Sequence, residues 1–347
     1  MNRMIIFIYI GMLLGCSGCG LANGIVKDFS GYGEQLTAKV QPKEYDSYDT
    51  SVQVGASDQK NTSAQNNSST SASSPEYSDE IGDAPEGKFK NKFDVAVIIG
   101  NRDYKKTSTV DFAVNDASKV KEFAVNTLGI PVGNIIYIEN ATLTDFTEVF
   151  GQQTGEGGGK LLNFIKPNVS NVFVYYVGHG APDIKSPKPE AYFVPVDADP
   201  QYISNSGYKV QALYDNLSRL PVKKMTVVLD SCFSGNSPKG ILFKGISGLL
   251  VVGKTNKIAA KNSILLTSTS ENQVSSWYDE KKHSLFTYYF LKGLQGEADN
   301  NKDNNISVAE MKNYLDEKVS YMSRRLTGND QQPTVNGKDN QVIAELK

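Results

Sequence analysis

The chain has 347 residues, 36 Lys and Arg against 38 Asp and Glu, and a formal net charge of −2. That balance gives no electrostatic reason to expect a nucleic-acid partner. Its three cysteines, Cys16, Cys19 and Cys232, are too few for a disulfide framework or a cysteine-rich zinc site.

The chain opens on MNRMIIFIYIGMLLGCSGCG, where Arg3 precedes an apolar stretch over residues 4–14. The stretch is too short to span a bilayer as a mature helix and reads as a secretory signal. Its end, Leu13-Leu14-Gly15-Cys16, resembles the lipobox of bacterial lipoproteins. That resemblance implies a signal over 1–16 and an acylated Cys16. The folded part would then be lipid-anchored in the bacterial cell envelope, outside the cytoplasm. Residues 17–91 have no sustained apolar period, and 56–87 are almost purely small and polar. Such a stretch cannot bury enough apolar area to offset its ordering entropy, so it is expected to be a disordered tether.

A folded domain is expected over 92–347. FDVAVIIG (93–100) is a continuous apolar run, as a strand buried on both faces requires. Residues 111–129 space Phe112, Ala113, Ala117, Val120, Ala124 and Leu128 as one helix face. Strands are predicted over 134–140, 171–178, 224–230, 263–269 and 341–346. Further helices are predicted over 209–220, 284–294 and 307–326, with short helical pieces around GEGGG (155–159). Alternating strands and helices imply an α/β domain with a mainly parallel sheet, whose chemistry sits at the strand carboxyl ends.

Two strand ends carry reactive groups. YYVGHGA (175–181) delivers His179, and VVLDSCFSG (227–235) delivers Cys232. A thiolate attacks carbonyls, and a nearby imidazole stabilises it or protonates the leaving amine. Gly178 and Gly180 lack a Cβ, so their backbone is expected to approach substrate closely and supply oxyanion donors. One Cys and one well-placed His are too few ligands for a metal there. GEGGG is no phosphate loop, and His283 in EKKHS reads as a solvated loop residue.

YYVGHG followed by DSCFSG, with VAVIIGN, NDA and SILLTSTSENQVSSWYDEKKHSLFTYYFLKGL, resembles the caspase-like cysteine peptidases, most closely the metacaspases and their bacterial relatives. The resemblance implies a three-layer α/β/α fold with a six-stranded sheet. It makes Cys232 the nucleophile, His179 the acid/base, and the amides of Gly180 and Cys232 the oxyanion hole. It also places Asp116 and Asp230 in the pocket for the residue before the cut. Two carboxylates suit Arg or Lys there. Val177 and Phe233 depart from the family pattern and make the pocket rim more apolar. Peptides or proteins with basic residues are the expected substrates. The alternative is an inactive pseudo-peptidase that only binds a partner protein.

DNNKDNNISVAE (299–310) follows the EF-hand loop: Asp299, Asn301 and Asp303 at positions one, three and five, the Asn305 carbonyl at seven, and Glu310 at twelve. Any Ca²⁺ here is expected to be structural, and the chemistry needs no cofactor. Asp197 and Asp199 are weaker calcium candidates. Lys239, Lys244, Lys254 and Lys257 are candidate self-cleavage sites.

Overall fold

The computed structural model describes residues 81–347 apart from 156–157, 184, 186–189, 234–235, 238–239, 242–257, 259–261 and 271–272. β1 (Val95–Gly100) is buried at every position. Its alternate side chains feed different cores. Ala96 and Ile98 pack with Ala117, Phe123 and Phe290, while Val95, Val97 and Ile99 pack with Phe146, Leu213 and Leu217. A strand covered on both faces needs apolar residues throughout, so FDVAVIIG shows no alternation.

α1 (Ala113–Asn126), β2 (Ile135–Glu139), α2 (Leu143–Phe150) and β3 (Asn171–Val177) follow. β4 (Gly180–Pro182), β5 (Ala191–Phe193) and β6 (Tyr208–Lys209) form a small separate sheet, with one helical turn, α3 (Ile203–Ser206), before β6. α4 (Val210–Ser218) leads into β7 (Lys224–Asp230). The short arms β8 (Asn236–Ser237) and β9 (Gly240–Ile241) pair beyond it. β10 (Ser263–Thr267) precedes a hairpin of β11 (Trp277–Tyr278) and β12 (His283–Ser284). The chain ends with α5 (Leu285–Lys292), β13 (Asn305–Ser307), α6 (Val308–Thr327), β14 (Thr334–Asn336) and β15 (Val342–Glu345).

The central sheet has six strands in the order β14-β10-β7-β3-β1-β2. All pairs are parallel except β14 with β10. Helices α1, α5 and α6 cover one face, and α2 and α4 the other. This is the expected three-layer α/β/α arrangement.

Two expectations need correction. The predicted last strand, 341–346, does not join the central sheet: β15 pairs with β13 beside the EF-hand-like loop, Ile306 opposite Ala344. The sixth strand is β14, three residues long and too short to show a period. The tether also ends before residue 91. Ile81 is buried in the α1-side core, the Ala84 amide donates to Glu122 at 2.8 Å, and Gly87 bridges Leu346. A single buried isoleucine among polar residues gives no periodic signal.

Gly100 ends β1 where α1 crosses it. A Cβ there would lie 2.6 Å from the Ala113 carbonyl oxygen and 2.7 Å from the Ala117 Cβ. The glycine therefore lets α1, which carries Asp116, lie against the sheet. Gly100→Ala is expected to cost about 1–3 kcal/mol through overpacking. The measurement is a lower urea midpoint at unchanged slope.

Candidate active site

The register of two strands builds the site. Val177 of β3 is paired with Asp230 of β7, and the Gly178 amide donates to the Asp230 carbonyl at 3.2 Å. His179 and Cys232 each stand two residues past that rung. Neighbouring strands run about 4.8 Å apart, so the two side chains emerge side by side. They line one cleft with Val110, Val177, Asp230, Ser275, Trp277 and Ser284.

His179 is 5% exposed. The phenol of Tyr104 accepts its amide N–H at 2.7 Å, and the two rings stand 4.6 Å apart. Its carbonyl accepts from the Tyr176 hydroxyl at 2.8 Å and from the Val194 amide at 3.0 Å. The ring Nε2 lies 2.8 Å from the Ser108 carbonyl oxygen. A carbonyl only accepts, so the proton sits on Nε2 and Nδ1 keeps its lone pair. Burial lowers the imidazole pKa to about 4, against the small raising effect of that carbonyl.

Cys232 is 8% exposed, and its Sγ accepts the Ser275 amide N–H at 2.6 Å. Burial pushes the thiol up to about 12, outweighing that bond, and the Asp230 charge adds to the rise. Thiol and imidazole are thus both neutral near pH 7. The cleft offers only about 30 Å³, room for a water or two. A long side chain does not fit in that volume unless the lining moves.

Both glycines beside His179 stand in crowded surroundings. A Cβ on Gly178 would come within 2.6 Å of the Tyr104 hydroxyl and 2.7 Å of the Tyr176 hydroxyl. A Cβ on Gly180 would come within 2.5 Å of the Phe233 ring and 2.7 Å of the Ser231 Oγ. The missing side chains leave room for these groups, and Gly178 also lines the cleft. Gly180 opens β4 opposite Phe193 and is not among the cleft-lining residues. Phe233 stands edge-on to Phe193 at 5.5 Å and packs into the α2-side core. Val177, by contrast, does line the cleft.

The two acids play unequal parts. Asp230 reaches the cleft, and its carboxylate accepts from Thr287 Oγ1 at 2.7 Å, Ser275 Oγ at 3.0 Å and Ser284 Oγ. Burial raises its pKa, and the hydroxyls oppose that rise. Asp116 is fully buried and does not line the cleft. Its carboxylate accepts from His283 Nδ1 at 2.6 Å and from the Ser284 amide at 3.1 Å. Burial lifts it to about 6, and the His283 contact pulls the other way. His283 is therefore no solvated loop residue; it is 2% exposed. Sequence reasoning missed it, together with Ser108, Ser275, Ser284 and Thr287. All but Ser108 lie within or beside the stretch SSWYDEKKHSLFTYYF. Its density of hydroxyls beside an apolar helix was the available signal.

In the EF-hand-like loop, Asp299 accepts the amides of Asp303 and Asn304, at 3.1 and 2.9 Å, and Asp303 accepts that of Asn305 at 2.8 Å. Glu310 accepts the Ser307 hydroxyl at 2.6 Å in the capping box that starts α6. Among the described residues, no three His, Cys, Asp or Glu side chains converge as a metal site. Asp197 accepts the Leu143 amide at 3.1 Å and Asp199 pairs with Lys106 at 3.0 Å, so both shape loops. Cys16, Lys239, Lys244, Lys254 and Lys257 lie outside the described residues.

A thiol and an imidazole delivered together at the carboxyl ends of adjacent parallel strands define a site of the cysteine-peptidase class. The family model described as "Caspase domain" matches residues 94–342, and the chain belongs to that family. Among solved structures it is similar to caspase-1 from Spodoptera frugiperda. The identity is 14%, over 75% of this chain and 92% of that one, with a TM-score of 0.47. Comparison with curated proteins gives no match.

The buried imidazole makes stability depend on pH. The unfolded chain protonates His179 below about 6.5, the folded protein only below about 4. Folding stability is therefore expected to fall as pH drops through that window, by about 3 kcal/mol in all. Urea melts of wild type and His179→Gln between pH 7 and 4 check this: the variant should lose less on acidification.

Proposed function

We propose that this caspase-family protein is a cysteine endopeptidase cutting after Arg or Lys. The observation that carries the reading is the rung at Val177 and Asp230, which sets His179, Cys232 and one buried carboxylate around a single cleft. In the reaction, His179 Nδ1 takes the Cys232 proton as the sulfur attacks the scissile carbonyl. The imidazolium then protonates the departing amine. The amides of Gly180 and Cys232 are the proposed donors to the oxyanion. Asp230 meets the substrate cation in a short charge-assisted bond, and Val177 packs against the stem of that side chain.

The closed cleft and the neutral thiol favour a second reading, a pseudo-peptidase that only binds a partner. A covalent peptide probe ending in Arg separates the two. Active enzyme should be labelled in wild type and not in Cys232→Ala, and Asp230→Asn should lower labelling by an Arg probe about tenfold or more. Absence of wild-type labelling would favour the binding module.

We further propose a lipid anchor on Cys16, on the lipobox pattern alone. Radiolabelled palmitate should enter wild type and not Cys16→Ala. No helix among the described residues is long and apolar enough to cross a membrane.

The loop at 299–310 is proposed to hold a structural Ca²⁺. Its donors, Asp299, Asn301, Asp303, the Asn305 carbonyl and Glu310, are the hard oxygens that Ca²⁺ prefers. Lys302 and Asn304 have left-handed backbone, at φ 61° and 62°, which bends the loop without a glycine. Calcium at about a hundred times its Kd should stabilise the protein by about 2.7 kcal/mol. Glu310→Gln should reduce that gain, and thermal melts with Ca²⁺ against EDTA read it.

A further inference from the structure

Two buried carboxylates share the end of the sheet beneath the cleft. Asp116 comes from the first turn of α1 and Asp230 from the end of β7. Ser284 joins them: its amide donates to Asp116 Oδ2 at 3.1 Å, and its hydroxyl donates to Asp230 Oδ2. Like charges so close disfavour double ionisation, and one acid takes up a proton unless a positive or donor group opposes it. Asp230 already has the hydroxyls of Ser275, Ser284 and Thr287, and Tyr175 bonds to Thr287 at 2.6 Å. Asp116 has no hydroxyl partner among its described bonds. Its second support is His283 Nδ1, at 2.6 Å on Oδ1.

The β11–β12 hairpin fixes His283 for this task. His283 pairs with Tyr278 across the hairpin, and the next residue, Ser284, caps α5 by accepting the Thr287 amide at 3.3 Å. The Asn115 side-chain amide donates to the Lys282 carbonyl at 2.6 Å and so ties the hairpin to α1. His283, Asp116, Ser284 and Asp230 therefore form one continuous hydrogen-bonded path from the hairpin to the cleft.

We infer that His283 is a positioning residue for the basic-side-chain pocket: it keeps Asp116 ionised and oriented, so that Ser284 presents Asp230 to an incoming guanidinium or ammonium. This rests on the proposed cleavage after Arg or Lys. It also alters the expected pocket, in which both acids face the substrate. Asp230 makes the contact, and Asp116 acts on it through Ser284. Substrate binding, not bond breaking, should register the loss of His283.

The test compares His283→Leu, which removes the donor, with His283→Asn, whose side-chain amide stands near the Nδ1 position. With an Arg peptide, the Leu variant should raise KM about tenfold at a kcat within about threefold of wild type. The Asn variant should keep KM within about threefold. An unchanged KM in the Leu variant, or a fall in kcat alone, overturns the assignment. Because the chain has only two histidines, a second reading needs no turnover. In ¹⁵N-histidine-labelled His179→Gln protein, agmatine serves as a mimic of the arginine side chain. Its binding should shift the His283 Nδ1–H resonance. Agmatine that binds without moving that signal overturns the positioning role even if the Leu variant fails to fold. A wild type that binds no agmatine and cuts no Arg peptide instead sinks the basic-substrate reading, and this inference with it.

Discussion

The pairing of Val177 with Asp230 is the constraint on which the chemistry depends. Parallel strands cannot slip by one residue without turning every side chain to the wrong face. Here both faces are buried, so a slip would misplace two cores at once. The register that satisfies packing also brings two strands to their ends together. His179 and Cys232 then follow on the same side of the sheet edge. Asp230, the last residue of its strand, lines the same cleft.

Burial at that edge favours the neutral form of the acids, the thiol and the imidazole alike. The carboxylates are supplied with donors: hydroxyls for Asp230, an imidazole and an amide for Asp116. Those donors oppose the rise that burial imposes on both acids. The thiol and imidazole have less help, namely one amide on sulfur and one carbonyl on Nε2. Desolvation wins over both, and the pair rests neutral. In this closed cleft the acids have several donors that oppose desolvation, and the thiol and imidazole have fewer partners.

The sequence was legible where burial was continuous. Strands such as FDVAVIIG and KMTVVLD announce themselves because both faces need apolar residues, as β1, β3, β7 and β10 show, whereas the half-buried edge strand β2 is legible only as an apolar run. β14 was missed because three residues carry no period, and β15 was misassigned because an apolar run does not name its partner strand. Cys232 and His179 were visible as rare residue types at strand ends. His283 was not, because its burial depends on a hairpin whose neighbours are charged. EKKH reads as solvent-exposed until the β11–β12 pairing turns the imidazole inward. Ser108 acts through its carbonyl, which every residue possesses, so its sequence position held no signal. The glycines around His179 are legible in the motif, but the tyrosine hydroxyls and the phenylalanine ring that crowd them are not.

The amino-terminal segment and the last strand are bonded to each other. Gly87 bridges Leu346, the Lys88 amide donates to the Glu345 carbonyl at 2.8 Å, and the Lys347 amide donates to the Glu86 carbonyl at 3.2 Å. β15 in turn borders the cavity that contains Asp94, Asn171 and Lys224, which stand at the starting ends of the central strands. In mechanical terms residues 86–88 and 345–347 form a clasp at the end of the sheet away from the cleft. A pull entering through residue 81 meets first the buried Ile81 and the Ala84–Glu122 bond, and then the clasp and β15. The rung that aligns Cys232 with His179 lies at the other end of the sheet and is shielded from that load.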